Sequence, residues 1–189
     1  GRFLSPLIEN KLLKNADKVI VVSNDIRDEL NNSYKYVKDN IVYVPNGIDS
    51  TMFYNKNIKK ENQIVYIGRL GYRKGLPLLI EAINNLKEKI IKQNYKIIFS
   101  GDGHLKEYLV NYIKKNNLSN IVTITSTKQS DINQLLNESK FLIMNSTYET
   151  GPRTVLESLF SGTPVIATKV GLLKYFEASD YINIPEHNI

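Results

Sequence analysis

Short strand-like runs and longer amphipathic stretches alternate along most of this chain. Residues 64–67, 96–99, 121–125, 141–144 and 165–168 have the length and apolar content of buried strands, and 181–184 reads as a last one. Between them apolar residues recur at helical spacing. They fall at 79, 80, 83, 86 and 90 within a predicted helix over 77–91, and again within 105–115 and 132–137. Val155, Leu156, Leu159 and Phe160 continue the pattern up to Gly162, the expected helix stop. Upstream, 4–13 has a helical pattern, 18–22 reads as a buried strand, Ser23 suits the cap of a helix over 24–32, and 41–44 reads as a second strand. The alternation predicts an α/β fold built on a doubly wound parallel sheet. The αβαβ piece in 1–44 is too small for a core of its own at typical domain sizes of ~100 residues. Pro45 to Phe53 reads as the joining turn, with Asn46-Gly47 to reverse the chain and Asp49 to cap it.

Composition narrows the chemistry. With no cysteine, disulfides and thiolate metal sites are excluded, and the two histidines, His104 and His187, cannot build a histidine-rich metal site. No run reaches the ~18 apolar residues of a membrane span, and no signal-peptide pattern is present, which points to a cytoplasmic protein. Gly1-Arg2 at the start reads as a trimmed product or a piece of a longer protein. The net charge of +6 comes from lysines spread over several predicted elements. There is no nucleic-acid motif. The lysines suit a solvated surface or, alternatively, contact with anionic lipid at the inner membrane face.

The richest stretch is Asn145 to Glu157. It reads as a strand, a loop and a helix, with Pro152 suited to the first helical position, Glu149 in the loop and Glu157 in the second turn. The amides of Gly151, Arg153 and Thr154 would then face the carboxyl edge of a parallel sheet, where open α/β folds bind ligands. Phosphate on those amides would leave each carboxylate to accept hydroxyl groups flanking it, the layout of a sugar nucleotide. The plainer alternative is an acid complementing the helix dipole and a solvated helix glutamate. Arg69 and Lys74 follow the strand at 64–67 and reach the same edge, where a guanidinium and an ammonium would stabilise a leaving diphosphate without a metal. Arg73 and Lys169 read as solvated.

Four segments, in order, carry a resemblance. Val42-Tyr43-Val44-Pro45-Asn46-Gly47-Ile48-Asp49 looks like the interdomain hinge of family 4 retaining glycosyltransferases of GT-B fold. Gly68-Arg69-Leu70 with Lys74-Gly75 resembles their phosphate-binding loop. Glu149 and Glu157, with seven residues between them, match their paired glutamates, and Ser161 to Thr168 resembles the turn and strand that follow. The resemblance implies a Rossmann-like donor-binding domain over 62–189, a hinge over 45–61 and, in 1–44, the remnant of an acceptor-binding domain.

It also implies roles. The donor is a UDP- or GDP-sugar, and no cofactor or metal is expected. Arg69 and Lys74 would bind its diphosphate, Glu157 the ribose hydroxyls and Glu149 the transferred sugar, so that Glu149, Arg69 and Lys74 form the catalytic set. Gly101 and Gly103 would let the backbone approach the donor. Thr150 and Gly151 would contact it, and Ser126, Thr127 and Lys128 would frame the base. The chain departs from the family at Leu172-Leu173-Lys174-Tyr175, where relatives usually have a second glycine and soon a glutamate, and at Thr150-Gly151-Pro152 after Glu149. The acceptor-side histidine and glycine-rich loop are absent from these residues. The acceptor (a glycan, lipid or small molecule) would need the missing acceptor-binding half or a partner chain. Rival readings are a non-catalytic nucleotide-sugar-binding module or subunit, and a GT-B-fold epimerase.

Overall fold

The computed structural model describes residues 6–177, Ser179 and 182–183. Helix α1 (Pro6–Lys14), strand β1 (Val19–Val21), helix α2 (Asn24–Ser33) and strand β2 (Ile41–Tyr43) form the first part. The rest alternates strand and helix: β3 (Gln63–Ile67), α3 (Leu76–Asn85), α4 (Lys87–Lys92), β4 (Lys96–Ser100), α5 (Lys106–Lys115), β5 (Val122–Thr125), α6 (Ile132–Glu138), β6 (Phe141–Met144), α7 (Arg153–Phe160), β7 (Val165–Ala167) and β8 (Ile182–Asn183). Short 3-10 turns at Tyr72–Lys74 and Gly171–Tyr175 sit in the connections. The parts of the predicted first helix and last strand at residues 4, 5, 181 and 184 lie outside the described residues, as does His187.

Strands β3 to β8 form one parallel sheet in the order β5-β4-β3-β6-β7-β8. The chain starts in the middle at β3, runs outward to β5, and returns across β3 to lay down β6. The switch point, where such sheets open a crevice, therefore lies between the carboxyl ends of β3 and β6. Alternation along β3 explains the two-sided core. Tyr66 packs with Leu76, Ile80, Phe99 and Leu109 on one face. Val65 packs with Leu136, Leu142, Val155 and Leu173 on the other.

Three expectations are corrected. The single helix over 77–91 is two, broken at Leu86, which is half exposed with φ −97° and ψ 6°. Asn84 and Asn85 precede the break, and asparagine favours caps over helix interiors. Pro152 is not the first helical residue. It is the N-cap, extended at ψ 92°, and its carbonyl accepts the first helical bond from Val155 N (3.2 Å). The strand at 18–22 is not buried throughout: Val21 is, but Ile20 is 67% exposed. β1 pairs in parallel with β2 alone, so this small sheet has an uncovered side among the described residues.

The segment after β2 is tied to the large sheet. Phe53 is buried in the second core cluster. Tyr54 N donates to Asn133 Oδ1 (3.3 Å) and Lys56 N to Asn137 Oδ1 (2.7 Å), while Asn137 Nδ2 donates back to Tyr54 O (3.0 Å). Lys60 Nζ reaches Thr163 Oγ1 (2.8 Å), and burial pushes its pKa down. Upstream of Phe53, Asn46 Nδ2 of the joining turn donates to Gly151 O (2.9 Å), and Asp25 of α2 accepts from Lys174 Nζ (2.7 Å) and Tyr175 OH (3.3 Å).

Candidate functional site

Two loops meet at the switch point. The loop after β3 holds Arg69 and Lys74, and the loop after β6 holds Glu149. Backbone fit brings them together. Gly75 adopts φ +64°, and a Cβ there would lie 2.0 Å from Asn145 O, so only glycine lets the loops approach. Asn145 Nδ2 then donates to Gly75 O (3.0 Å) and Thr147 N to Arg73 O (2.8 Å). On the far side Gly171, at φ +55°, abuts the Glu149 carbonyl, where a Cβ would lie 2.3 Å away.

The result is a cleft of about 550 Å³ lined by Arg69, Lys74, Glu149 and Thr150 together with Tyr72, Arg73, His104 and Tyr148. Lys74 Nζ pairs with Glu149 Oε1, which also accepts from Ser146 Oγ (2.6 Å). Both bonds fall on Oε1, leaving Oε2 available as an acceptor. Ser146 is itself buried, and its carbonyl accepts from Thr168 Oγ1 (2.5 Å), so the side chain that orients Glu149 is fixed. No carboxylate among the described residues lies within salt-bridge distance of Arg69. Arg73 is exposed, as read from the sequence, yet it also lines the cleft, with its guanidinium 5.6 Å from the Tyr148 ring centroid. Tyr72 and His104 pack ring to ring at 5.4 Å.

Glu157 occupies a second cleft of about 500 Å³, with Asp49, Met52, Gln129, Arg153 and Thr154 in its lining. It is 6% exposed, and its nearest cation is Arg153 Nη2 at 3.9 Å. Burial raises its pKa, and Arg153 offsets that only in part. The amides of Gly151, Arg153 and Thr154 precede the first helical bond of α7. The remaining expected residues line neither cleft. A Cβ on Gly101 would lie 1.9 Å from Gly68 O, and one on Gly103 2.4 Å from Leu70 O, so both let the β4 loop pack against the β3 loop. Gly151 packs against Asn46. Thr127, between Ser126 and Lys128, is half-buried, and its amide donates to Ser100 Oγ (3.4 Å).

Sequence reasoning missed Tyr72, His104 and Tyr148 in the cleft lining and Ser146 as the buried partner of Glu149. Ser146, three residues before Glu149, could have been suspected as a local partner; the rings meet only through the fold. Among the described residues no group of three or more His, Cys, Asp or Glu could hold a metal ion. No described helix is long and apolar enough to cross a membrane.

A doubly wound parallel sheet with a cationic crevice at its switch point is a Rossmann-like fold, and the known proteins this chain resembles are of the GT-B kind. The family model for glycosyl transferases group 1 matches residues 48–183, and that for glycosyltransferase family 4 matches residues 2–52. This chain belongs to the group 1 glycosyl transferases. It is 31% identical over 157 residues to an uncharacterized glycosyltransferase of Methanocaldococcus jannaschii, covering 83% of this chain and 41% of the relative. It is 27% identical to the amylovoran biosynthesis glycosyltransferase AmsD of Erwinia amylovora, covering 88% and 48%. The chain thus spans less than half the length of either relative. Among solved structures, S. aureus TarM, crystallised with UDP, fondaparinux and alpha-GlcNAc-glycerol, superposes with a TM-score of 0.79 at 23% identity, over 100% of this chain and 39% of that one. Anabaena HepE, in complex with UDP and glucose, gives 0.76 at 20% identity, over 95% and 52%. At these identities the structural likeness speaks for the fold.

Proposed function

We propose that this chain is the donor-binding part of a retaining hexosyltransferase that moves a sugar from a UDP- or GDP-sugar to an acceptor hydroxyl. The observation that carries the reading is the meeting of Arg69, Lys74 and Glu149 in one cleft at the switch point. In the reaction, the bond from the anomeric carbon to the diphosphate oxygen breaks and its electron pair leaves with the diphosphate. The acceptor oxygen bonds to that carbon on the same face, and its proton passes to the departing phosphate. Arg69 and Lys74 stabilise the leaving charge, which is the task a divalent metal would otherwise serve. Glu149 Oε2 accepts a hydroxyl of the transferred sugar, and Glu157 accepts the ribose hydroxyls. The backbone at Thr150 and Gly151 lies along the diphosphate. Thr127, with its neighbours Ser126 and Lys128, frames the base, and Gly101 and Gly103 let the backbone of the β4 loop approach the donor.

The division into 1–44, 45–61 and 62–189 belongs to the same reading. The acceptor-binding half would extend the β1–β2 sheet and cover Ile20 and Val42, whose exposure supports a missing neighbour. Without it the isolated chain binds donor and transfers nothing. A cytoplasmic site of action, with lysines near anionic lipid, fits an acceptor held at the inner membrane face.

The test is calorimetric titration of the chain with UDP and GDP. Saturable binding of at least one, with no turnover on any acceptor, is expected. Binding of neither would overturn the assignment, and turnover by the isolated chain would overturn the division of labour.

A further inference from the structure

Lys74 is aimed by its pairing with Glu149, but Arg69 has no such partner among the described residues. What the structure fixes is its backbone. That backbone is sewn to the β4 loop on both sides: Gly68 N donates to Ser100 O (3.0 Å) and Leu70 N to Asp102 O (2.8 Å). Between those stitches the Arg69 carbonyl accepts from Tyr66 OH (2.8 Å). Tyr66 is 2% exposed at the end of β3, its ring packed on Phe99 with centroids 5.6 Å apart. A phenylalanine would fill the same space, so packing alone does not call for the hydroxyl. A buried phenol needs an acceptor, and here the acceptor is the peptide that carries the arginine.

We propose that Tyr66 is a positioning residue for Arg69: its hydroxyl fixes the Arg69 carbonyl, and with it the direction in which the guanidinium enters the cleft. Burial, with the carboxylate of Glu149 adding to it, pushes the phenol well up, so the hydroxyl stays a donor across the working pH range. The role rests on the reading of Arg69 as a diphosphate ligand and deepens it.

Tyr66→Phe keeps the ring and removes the bond. Calorimetric titrations of wild type and variant with UDP and GDP, and with uridine and guanosine, isolate the phosphate contribution. A single hydrogen bond of this kind corresponds to about three- to tenfold in affinity. The variant is expected to lose about that factor for the diphosphates and nothing for the nucleosides. In an Arg69→Ala background, Tyr66→Phe is expected to have no further effect, because the group it aims is gone. Equal loss for nucleosides, or the same loss with and without Arg69, would make Tyr66 a packing residue and overturn the role. Unchanged diphosphate binding by Tyr66→Phe, with wild type binding normally, would overturn it alone. Failure of wild type to bind either diphosphate would overturn the reading of the cleft and this role with it.

Discussion

Glu149 and Glu157 are the same residue in opposite electrostatic states. Glu149 already has two partners, Lys74 and Ser146, both on one oxygen. Glu157 is more deeply buried, and its one cationic neighbour is a largely exposed arginine at 3.9 Å. The first carboxylate is satisfied by the fold. The second has no hydrogen-bond donor among the described residues, and burial raises its pKa. A ligand entering the first cleft rearranges an existing ion pair, whereas one entering the second brings hydrogen-bond donors to a carboxylate short of them. The difference follows from placement: one sits in a loop pressed against another loop, the other on a helix facing the joining turn and the start of α6.

The largest expected effect tests whether the first cleft owes its anion affinity to its cations. Arg69→Ala is predicted to weaken UDP and GDP about tenfold to hundredfold, the range for a charge-assisted hydrogen bond, while uridine and guanosine bind as before. Equal losses for nucleosides would mean that the arginine holds the loop together instead. Next come the glutamates. Glu157→Gln is predicted to weaken the bare diphosphate and the nucleotide sugar by a similar factor of about ten, because both carry ribose. Glu149→Gln should weaken only the nucleotide sugar. Four dissociation constants decide it, and a matched loss of bare diphosphate in both variants would collapse the distinction between the clefts.

A smaller effect comes from pH. Protonated Glu157 is a poorer acceptor for two hydroxyls, so nucleotide affinity should fall several-fold as pH drops toward the carboxylate range, with Glu157 protonating at higher pH than an exposed glutamate would. Stability should respond in the opposite sense. Folding raises this carboxyl's pKa, so the folded chain takes up the proton first. The destabilising contribution of the buried charge then grows as pH rises through the folded value and vanishes below the unfolded one. Titrations and thermal melts across that range should show opposing slopes, both flattened in Glu157→Gln; parallel slopes would refute the account. The smallest expected effect is none: EDTA should leave UDP and GDP binding unchanged, because Arg69, Lys74 and the amides near Arg153 neutralise the diphosphate. Abolished binding in EDTA would show that a metal does that work.

The strand and helix alternation was readable because a sheet covered on both faces demands apolar strands, and β3, β4 and β6 all carry that demand. The break at Leu86 was not, since the apolar period runs straight across it while the Asn84-Asn85 pair interrupts the backbone. Ile20 looked like a core residue because apolar content reports what a strand can bury, not whether a neighbour is there. Arg69, Lys74 and Glu149 were legible as chemistry from their loops, and the strand order explains why they converge. Tyr148 and His104 were not, because their roles depend on contacts between loops that follow different strands, and Tyr66 read only as a strand residue because its bond to Arg69, three residues on, depends on how the chain turns after β3. The unusual Lys174-Tyr175 pair was noticed only as a departure. Its partner, Asp25, lies 149 residues from Lys174 and could not be guessed from local pattern.

The asparagine clasp on the linker has a mechanical consequence. Tyr54 and Lys56 are riveted to Asn133 and Asn137 of α6, and Lys60 to Thr163, so this length of chain moves as part of the large sheet's frame. A swing of the first 44 residues would leave these rivets in place and concentrate its torsion ahead of Phe53, around Asn46 to Asp49. The lever arm is then short, and the swing would act first on the bonds from Asn46 to Gly151 and from Asp25 to Lys174. Gly151 is two residues from Glu149, so the axle of such a motion would run beside the carboxylate assigned to the sugar.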